Sequence, residues 1–196
     1  MATAQLRYRN GASRGSPQPR QSGYGGRRVA ATEHTADGRF IVVNGRRWRA
    51  TDPSIPESLR QELVNALMAA RRAVRDAGAN ARLRVHDAKV ALGERGEPWW
   101  DQHSVDGLNS RIDATICTLV RHRAPGTACP SDIARIVGGA GNWRDLMESV
   151  RARAKALAGR GVIDIQQRGH TVDPTTARGP IRLAAAQNID MARTQS

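Results

Sequence analysis

Aromatic residues are scarce, at 4% of 196 residues with a single phenylalanine. Single-strand readers lay bases on exposed aromatic faces, so this scarcity argues against that class. Lysine is scarcer still: only Lys89 and Lys155 occur, and arginine carries the rest of the positive charge. A coding bias toward Arg and Ala explains that choice of residue. It does not explain 31 basic against 18 acidic residues, a formal net charge of +13. Two cysteines, Cys117 and Cys129, cannot build a disulfide framework, and both are expected to be reduced. With His122 and His170 they supply metal-ligating atoms, but no CxxC or HxxxH spacing holds two ligands on one turn. No metal and no cofactor is expected. No stretch approaches the roughly 20 apolar residues that span a bilayer, and the opening MATAQLRYRN lacks the apolar region of a signal peptide. The expectation is a soluble, cytoplasmic protein without a membrane partner.

What the chain does have is a basic field, which raises the local concentration of polyanions and makes nucleic acid the first candidate partner. Residues 1–37, including NGASRGSPQPRQSGYGGRR, are too poor in apolar residues to offset the entropy of ordering and read as a disordered basic arm. Order is expected from RFIVVNGRRWRA, where Phe40–Val43 and Arg46–Ala50 flank Asn44-Gly45, a pair suited to a type I′ hairpin turn. Ser54 reads as the N-cap of a helix, with Glu57 three residues on and Pro56 in its first turn. Leu59, Leu63, Ala66, Leu67, Ala70 and Val74 follow at helical spacing up to Gly78. A second helix over Asn80–Leu92 is expected to fold back on the first. Residues 94–107, with Trp99-Trp100, read as a linker or as packing between two halves.

In the C-terminal half, Ile112, Ile116, Leu119 and Val120 mark a helix capped at Asn109 or Ser110. APGTAC leaves room for a very short strand. Pro130 then opens a short helix that ends in Gly138-Gly139-Ala140-Gly141. Asn142 reads as the N-cap of a further helix running to Ala158, with Trp143, Leu146, Met147, Val150, Ala154 and Leu157 on one face. Arg144, Arg151 and Lys155 cluster on one flank, partly offset by Glu148. VIDIQQ and GPIRL read as two paired strands around a basic loop that carries Arg168 and Arg178. The order of helix, short strand, helix, glycine turn, helix and hairpin is that of a winged helix-turn-helix. The fold class expected is α+β, mostly α: a disordered arm (1–37), a β-hairpin plus helical hairpin (38–93), a linker (94–107), a winged-helix domain (108–186) and a disordered tail (187–196).

The blocks CPSDIAR, WRDLMESVRARAKALAGRGVIDIQQRG and GPIRL, in that order, resemble a bacterial domain-of-unknown-function family, number 3253, with a winged-helix fold. The resemblance covers about residues 107–184. Upstream, GRRWRATDPSIPE, LMAARRAV and RVHDAKVALGERGEPWW look like the companion region of two-part members, which often carry the label Tol biopolymer transporter-like. The resemblance implies the fold and carries over no catalytic, cofactor or binding residue.

Three functions compete. The first is binding of double-stranded DNA, with regulation of transcription as the role that would follow, Arg144, Arg151 and Lys155 facing the duplex and Arg168 and Arg178 on the wing. The second is a protein-interaction or scaffold module, in which Leu63, Leu67 and Val74 of the helical hairpin contact a protein partner or a second copy. The third, an enzyme, lacks a nucleophile with a visible activating base: Ser131-Asp132 reads as a helix start, and His122 and His170 have no evident partner. No catalytic residue is expected.

Overall fold

The computed structural model describes residues 33–187, 189 and 190, the side chains of residues 76 and 77 excepted. Residues 1–32 of the expected arm, and 188 and 191–196 of the expected tail, lie outside the described residues. The architecture is α+β and mostly α. Order begins earlier than expected, because Glu33–His34 forms β1 and pairs with β2 (Phe40–Val43). β3 (Arg46–Arg49) completes an antiparallel sheet in the order β1-β2-β3. Asn44 and Gly45 take φ 51° and 72°, the two positive angles that the hairpin turn requires.

α1 spans Glu57–Ala91 and is broken at Gly78 (φ 53°, ψ −121°). Ala66 and Ala70 line the same cavity as Arg84 and Ala88, whereas a straight helix would set Ala66 and Ala88 roughly 33 Å apart. The two limbs therefore fold back on each other, as the sequence suggested. Ser54 is not the N-cap: its amide and hydroxyl both bind the Asp52 carboxylate, at 2.9 and 2.7 Å. Pro56 disfavours helical geometry at the residue before it, so the helix cannot extend back to Ser54.

Residues 94–107 pack rather than link. The Trp99 indole donates to the Ala50 carbonyl at 3.0 Å, Trp100 meets Phe40 edge-on, and Arg49 donates to the Gly96 carbonyl. Glu97 accepts from both the amide and the hydroxyl of Ser104, and these bonds hold its carboxyl below its ordinary pKa. So anchored, Ser104 becomes the N-cap of α2 (Val105–Arg123), accepting from the Gly107 amide. The expected caps, Asn109 and Ser110, lie inside this helix.

α2 is the axis of the molecule. Ten consecutive residues, Arg111 to Val120, are buried on every side of it, and α1 is the element it packs against most extensively. One hydrophobic core runs from Ile55, Leu63 and Leu67 through Ile116 to Leu157 and Leu183. Leu63 and Leu67 are thus spent inside the chain and are not the partner surface expected of the helical hairpin. The charges on α2 find partners on separate elements: Arg111 binds Asp52 at 2.6 Å, Asp113 binds Arg153, Arg121 binds Asp87, and Arg123 binds Glu62 and Asp132. The hydrogen bonds that Arg123 donates to Glu62 and Asp132 hold its pKa above the ordinary value.

α3 (Pro130–Asn142) and α4 (Met147–Gly159) follow, then β4 (Ile163–Gln167), β5 (His170–Thr171) and β6 (Arg182–Ala185). These strands form a sheet in the order β5-β4-β6, extended by an antiparallel bridge between Ala128 and Leu183. The expected two-stranded hairpin gains β5 because Arg168 and Gly169 both take positive φ, which closes a tight turn directly after β4. The expected tail is ordered at its start: Ile189 is buried, and Asp190 pairs with Arg84 and Arg121. No helix among the described residues is long and apolar enough to cross a membrane.

The Arg111 and Asp52 side chains are 5% and 4% exposed. Removing one partner of a buried pair leaves the other charge uncompensated, so Asp52→Ala should cost about 3–5 kcal/mol of stability. Urea unfolding checks this, and a loss under about 1 kcal/mol would show that the pair is dispensable.

Candidate nucleic-acid interface

The chain leaves helical geometry at Gly139, where φ is 66° and ψ is −171°, a region open essentially to glycine. A Cβ there would stand 3.1 Å from that of Ser54, so the turn also lies directly against the N-terminal half. Asn142 is not an N-cap: it ends α3, and its carbonyl accepts from the Asp145 amide. α4 begins only at Met147, with Leu146 before it and no side-chain cap. The reason is packing. Leu146 reaches so close to Gly138 that a side chain there would clash, and Trp143 is half-buried against the core. Residues 143–146 therefore fold over the end of α3 instead of opening the next helix.

This shift moves Arg144 off α4. It is exposed in the turn, its guanidinium 4.5 Å from the Trp143 ring centroid, and Arg135 lies at the same distance from that ring. The positive residues of α4 itself divide by face. Arg153 binds Asp113 through two nitrogens, which raises its pKa, and Arg160 approaches the same carboxylate. Arg151 and Lys155 are one helical turn apart on the other flank, with Lys155 exposed.

Arg151 donates to the Gly179 carbonyl at 2.7 Å, which ties that flank to the loop carrying Arg178. Gln167 crosses beneath, binding the carbonyls of Arg178 and Pro180. Arg168 and Arg178 are exposed and share one groove with His170 and Arg182. The structure thus brings Arg151, Arg168 and Arg178 to one region, keeps Lys155 on the adjoining helix turn, and leaves Arg144 on the α3–α4 turn. Sequence reasoning missed Arg182, which binds Thr127 at 2.9 Å, and Arg135. Arg182 was legible as the outward position between Ile181 and Leu183 in an alternating strand. Cys117, His122, Cys129 and His170 are not brought together, and no metal-ligating cluster occurs among the described residues.

Residues 109–186 match a family described as a protein of unknown function (DUF3253). The match runs from within α2 to just past β6 and leaves α1 and the first sheet outside it. No curated protein matches the chain.

In the loop between β5 and β6, Asp173 accepts from the side chain and amide of Thr175, at 2.7 Å each, and these bonds lower its pKa. A carboxyl with a depressed pKa supports the folded loop above its unfolded pKa and loses that support as pH falls through the folded value. Exchange of the Thr175 amide, taken relative to the unstructured peptide at each pH because intrinsic exchange itself slows in acid, should therefore be retarded at neutral pH and lose that retardation only well into the acid range. Asp173→Ala should make it fast at neutral pH; equal protection in the variant would assign the loop's order to other contacts.

Proposed function

We propose that this chain is a non-enzymatic winged-helix protein that binds double-stranded DNA, α4 lying in the major groove and the β4–β6 loop acting as the wing. The order of α2, bridging Ala128, α3, α4 and the sheet is compatible with that fold. The observation that carries the reading is the bond from Arg151 to the Gly179 carbonyl. It couples the outward flank of α4 to the wing loop, so that Lys155, Arg168 and Arg178 belong to one basic surface. Arg151 then acts as a strut as well as a contact. Arg144, stacked on Trp143, flanks the surface at the α3–α4 turn.

Phosphate contacts release counterions, so affinity should fall steeply with salt. The protein-interaction alternative loses two of the three residues it relied on, since Leu63 and Leu67 are 0% and 2% exposed, while Val74 is half-buried. Neither leucine is available to a partner.

The test is anisotropy of a labelled random-sequence duplex across a salt series with Lys155→Glu combined with Arg178→Glu. Both residues are exposed and outside the ion-pair network, so the unfolding midpoint should not move. Affinity should fall roughly tenfold or more, and the salt slope should shrink by about 1 for each phosphate contact removed. Wild-type affinity and slope in the variant would refute the reading.

A further inference from the structure

The arginines fall into two sets. Arg84, Arg111, Arg121, Arg123 and Arg153 each bind an Asp or Glu. Arg39, Arg46 and Arg47 are exposed and make no ion pair among the described residues. Each instead lies over an aromatic ring: Arg39 is 5.1 Å from the Trp100 centroid, Arg46 5.2 Å from Trp48, and Arg47 4.4 Å from Phe40. Arg49 and Lys89 join them, over Trp100 and Trp48. Cation–π pairs usually occur about once per 70–80 residues, and this one small sheet gathers five.

A guanidinium stacked on a ring is held by its face and keeps its in-plane N–H fork for a second partner. The ring does not neutralise it. Register sets Phe40 opposite Arg49 and Val42 opposite Arg47, so Phe40, Arg47 and Arg49 share one face of the sheet, while Trp48 and Arg46 share the other. Among the described residues β3 is an edge strand, with no further strand along its free margin. Glu94 pairs with Lys89 and Asp37 acts on Arg39, which leaves Arg46 and Arg47 as prepositioned cations facing solvent with Arg39 beside them, complementary to an anion with many acceptor oxygens.

The same device recurs beside α4, where Arg135 and Arg144 stack on Trp143. The two places adjoin: Trp99 and Ser54 line one cleft with Asn142, Asp145 and Leu146. A polyanion that spans both must be long, which favours a nucleic-acid backbone over a small ligand.

We propose that the N-terminal sheet is a second phosphate-binding element, whose Arg39, Arg46 and Arg47 engage the nucleic-acid backbone separately from α4 and the wing. This extends the DNA-binding reading, and the two can fail independently.

The test uses the full chain and a labelled 30-base-pair duplex, with the variant Arg39→Gln/Arg46→Gln/Arg47→Gln. Three lost phosphate contacts should make the slope of log affinity against log salt shallower by about 2.7, in a protein that still unfolds cooperatively at a midpoint lowered by the loss of three exposed cation–π contacts. The corresponding triple Arg→Lys variant, which keeps the charge but loses the stacked N–H fork, should hold the wild-type salt slope while binding more weakly, and so separates charge from misfolding. Introduced into the Lys155→Glu/Arg178→Glu background, the triple Gln change should produce the same further decrement. A decrement there, with no effect of Lys155→Glu/Arg178→Glu itself, would uphold the sheet and sink the α4 reading. An unchanged slope in both backgrounds overturns the sheet proposal. So does loss of binding to phosphatidylserine vesicles with intact duplex binding, which would make the sheet a lipid-facing surface.

Discussion

Burial of the charges on α2 constrains everything around it. A helix enclosed over ten residues cannot leave Arg111 or Asp113 unpaired, because an uncompensated ion in the interior costs several kcal/mol. Each charge therefore dictates where another element must lie. Arg111 draws in the loop at Asp52, Asp113 fixes Arg153 of α4, Arg121 holds the second limb of α1 through Asp87, and Arg123 joins the first limb to α3 through Glu62 and Asp132. A purely apolar α2 would bury as well but would specify rotation and register less sharply. The polar spokes supply direction, and the surrounding aliphatic core supplies most of the driving force.

The same pairing shapes the outer surface. Several carboxylates are consumed inside, against Arg111, Arg121, Arg123 and Arg153, so surplus positive charge is left on the outside, and two of the places that carry it have a shaped surface. One is the flank of α4 with the β4–β6 loop. The other is the first sheet, where rings instead of carboxylates position the arginines. Orientation of α4 by the Asp113–Arg153 pair decides which of its cations point away from the core. In this way an interior ion pair sets the character of an exterior face.

Much of this was legible in the sequence, and the failures share a cause. Asn44-Gly45 announced its turn because the signal is local, and so did Gly78, whose break lets α1 fold back. Helix starts were misread at Ser54, Asn109 or Ser110, and Asn142, although short polar residues are good caps in kind. In each case a contact outside the capping pattern decided which candidate was used: Asp52, two residues away, captured Ser54, Glu97 anchored Ser104, and Leu146 packing at Gly138 pulled residues 143–146 away from α4. The partners of α2 were out of reach as well, since Asp52 and Arg111 lie far apart in the chain. Scarcity of aromatics hid another feature: the few rings are not scattered, and Phe40, Trp48, Trp99 and Trp100 are gathered at one sheet. Composition counts residues and does not see them assembled.

Dependence of the C-terminal elements on α1 and Asp52 is the claim most open to test. The decisive measurement is thermal unfolding of the fragment from Gly107 to Ser196, followed by circular dichroism beside the full chain. Without Asp52, Asp87, Glu62 and the apolar faces of α1, the fragment should show no cooperative transition. A cooperative transition near that of the full chain would contradict the view that α2 binds the two halves into a single folding unit.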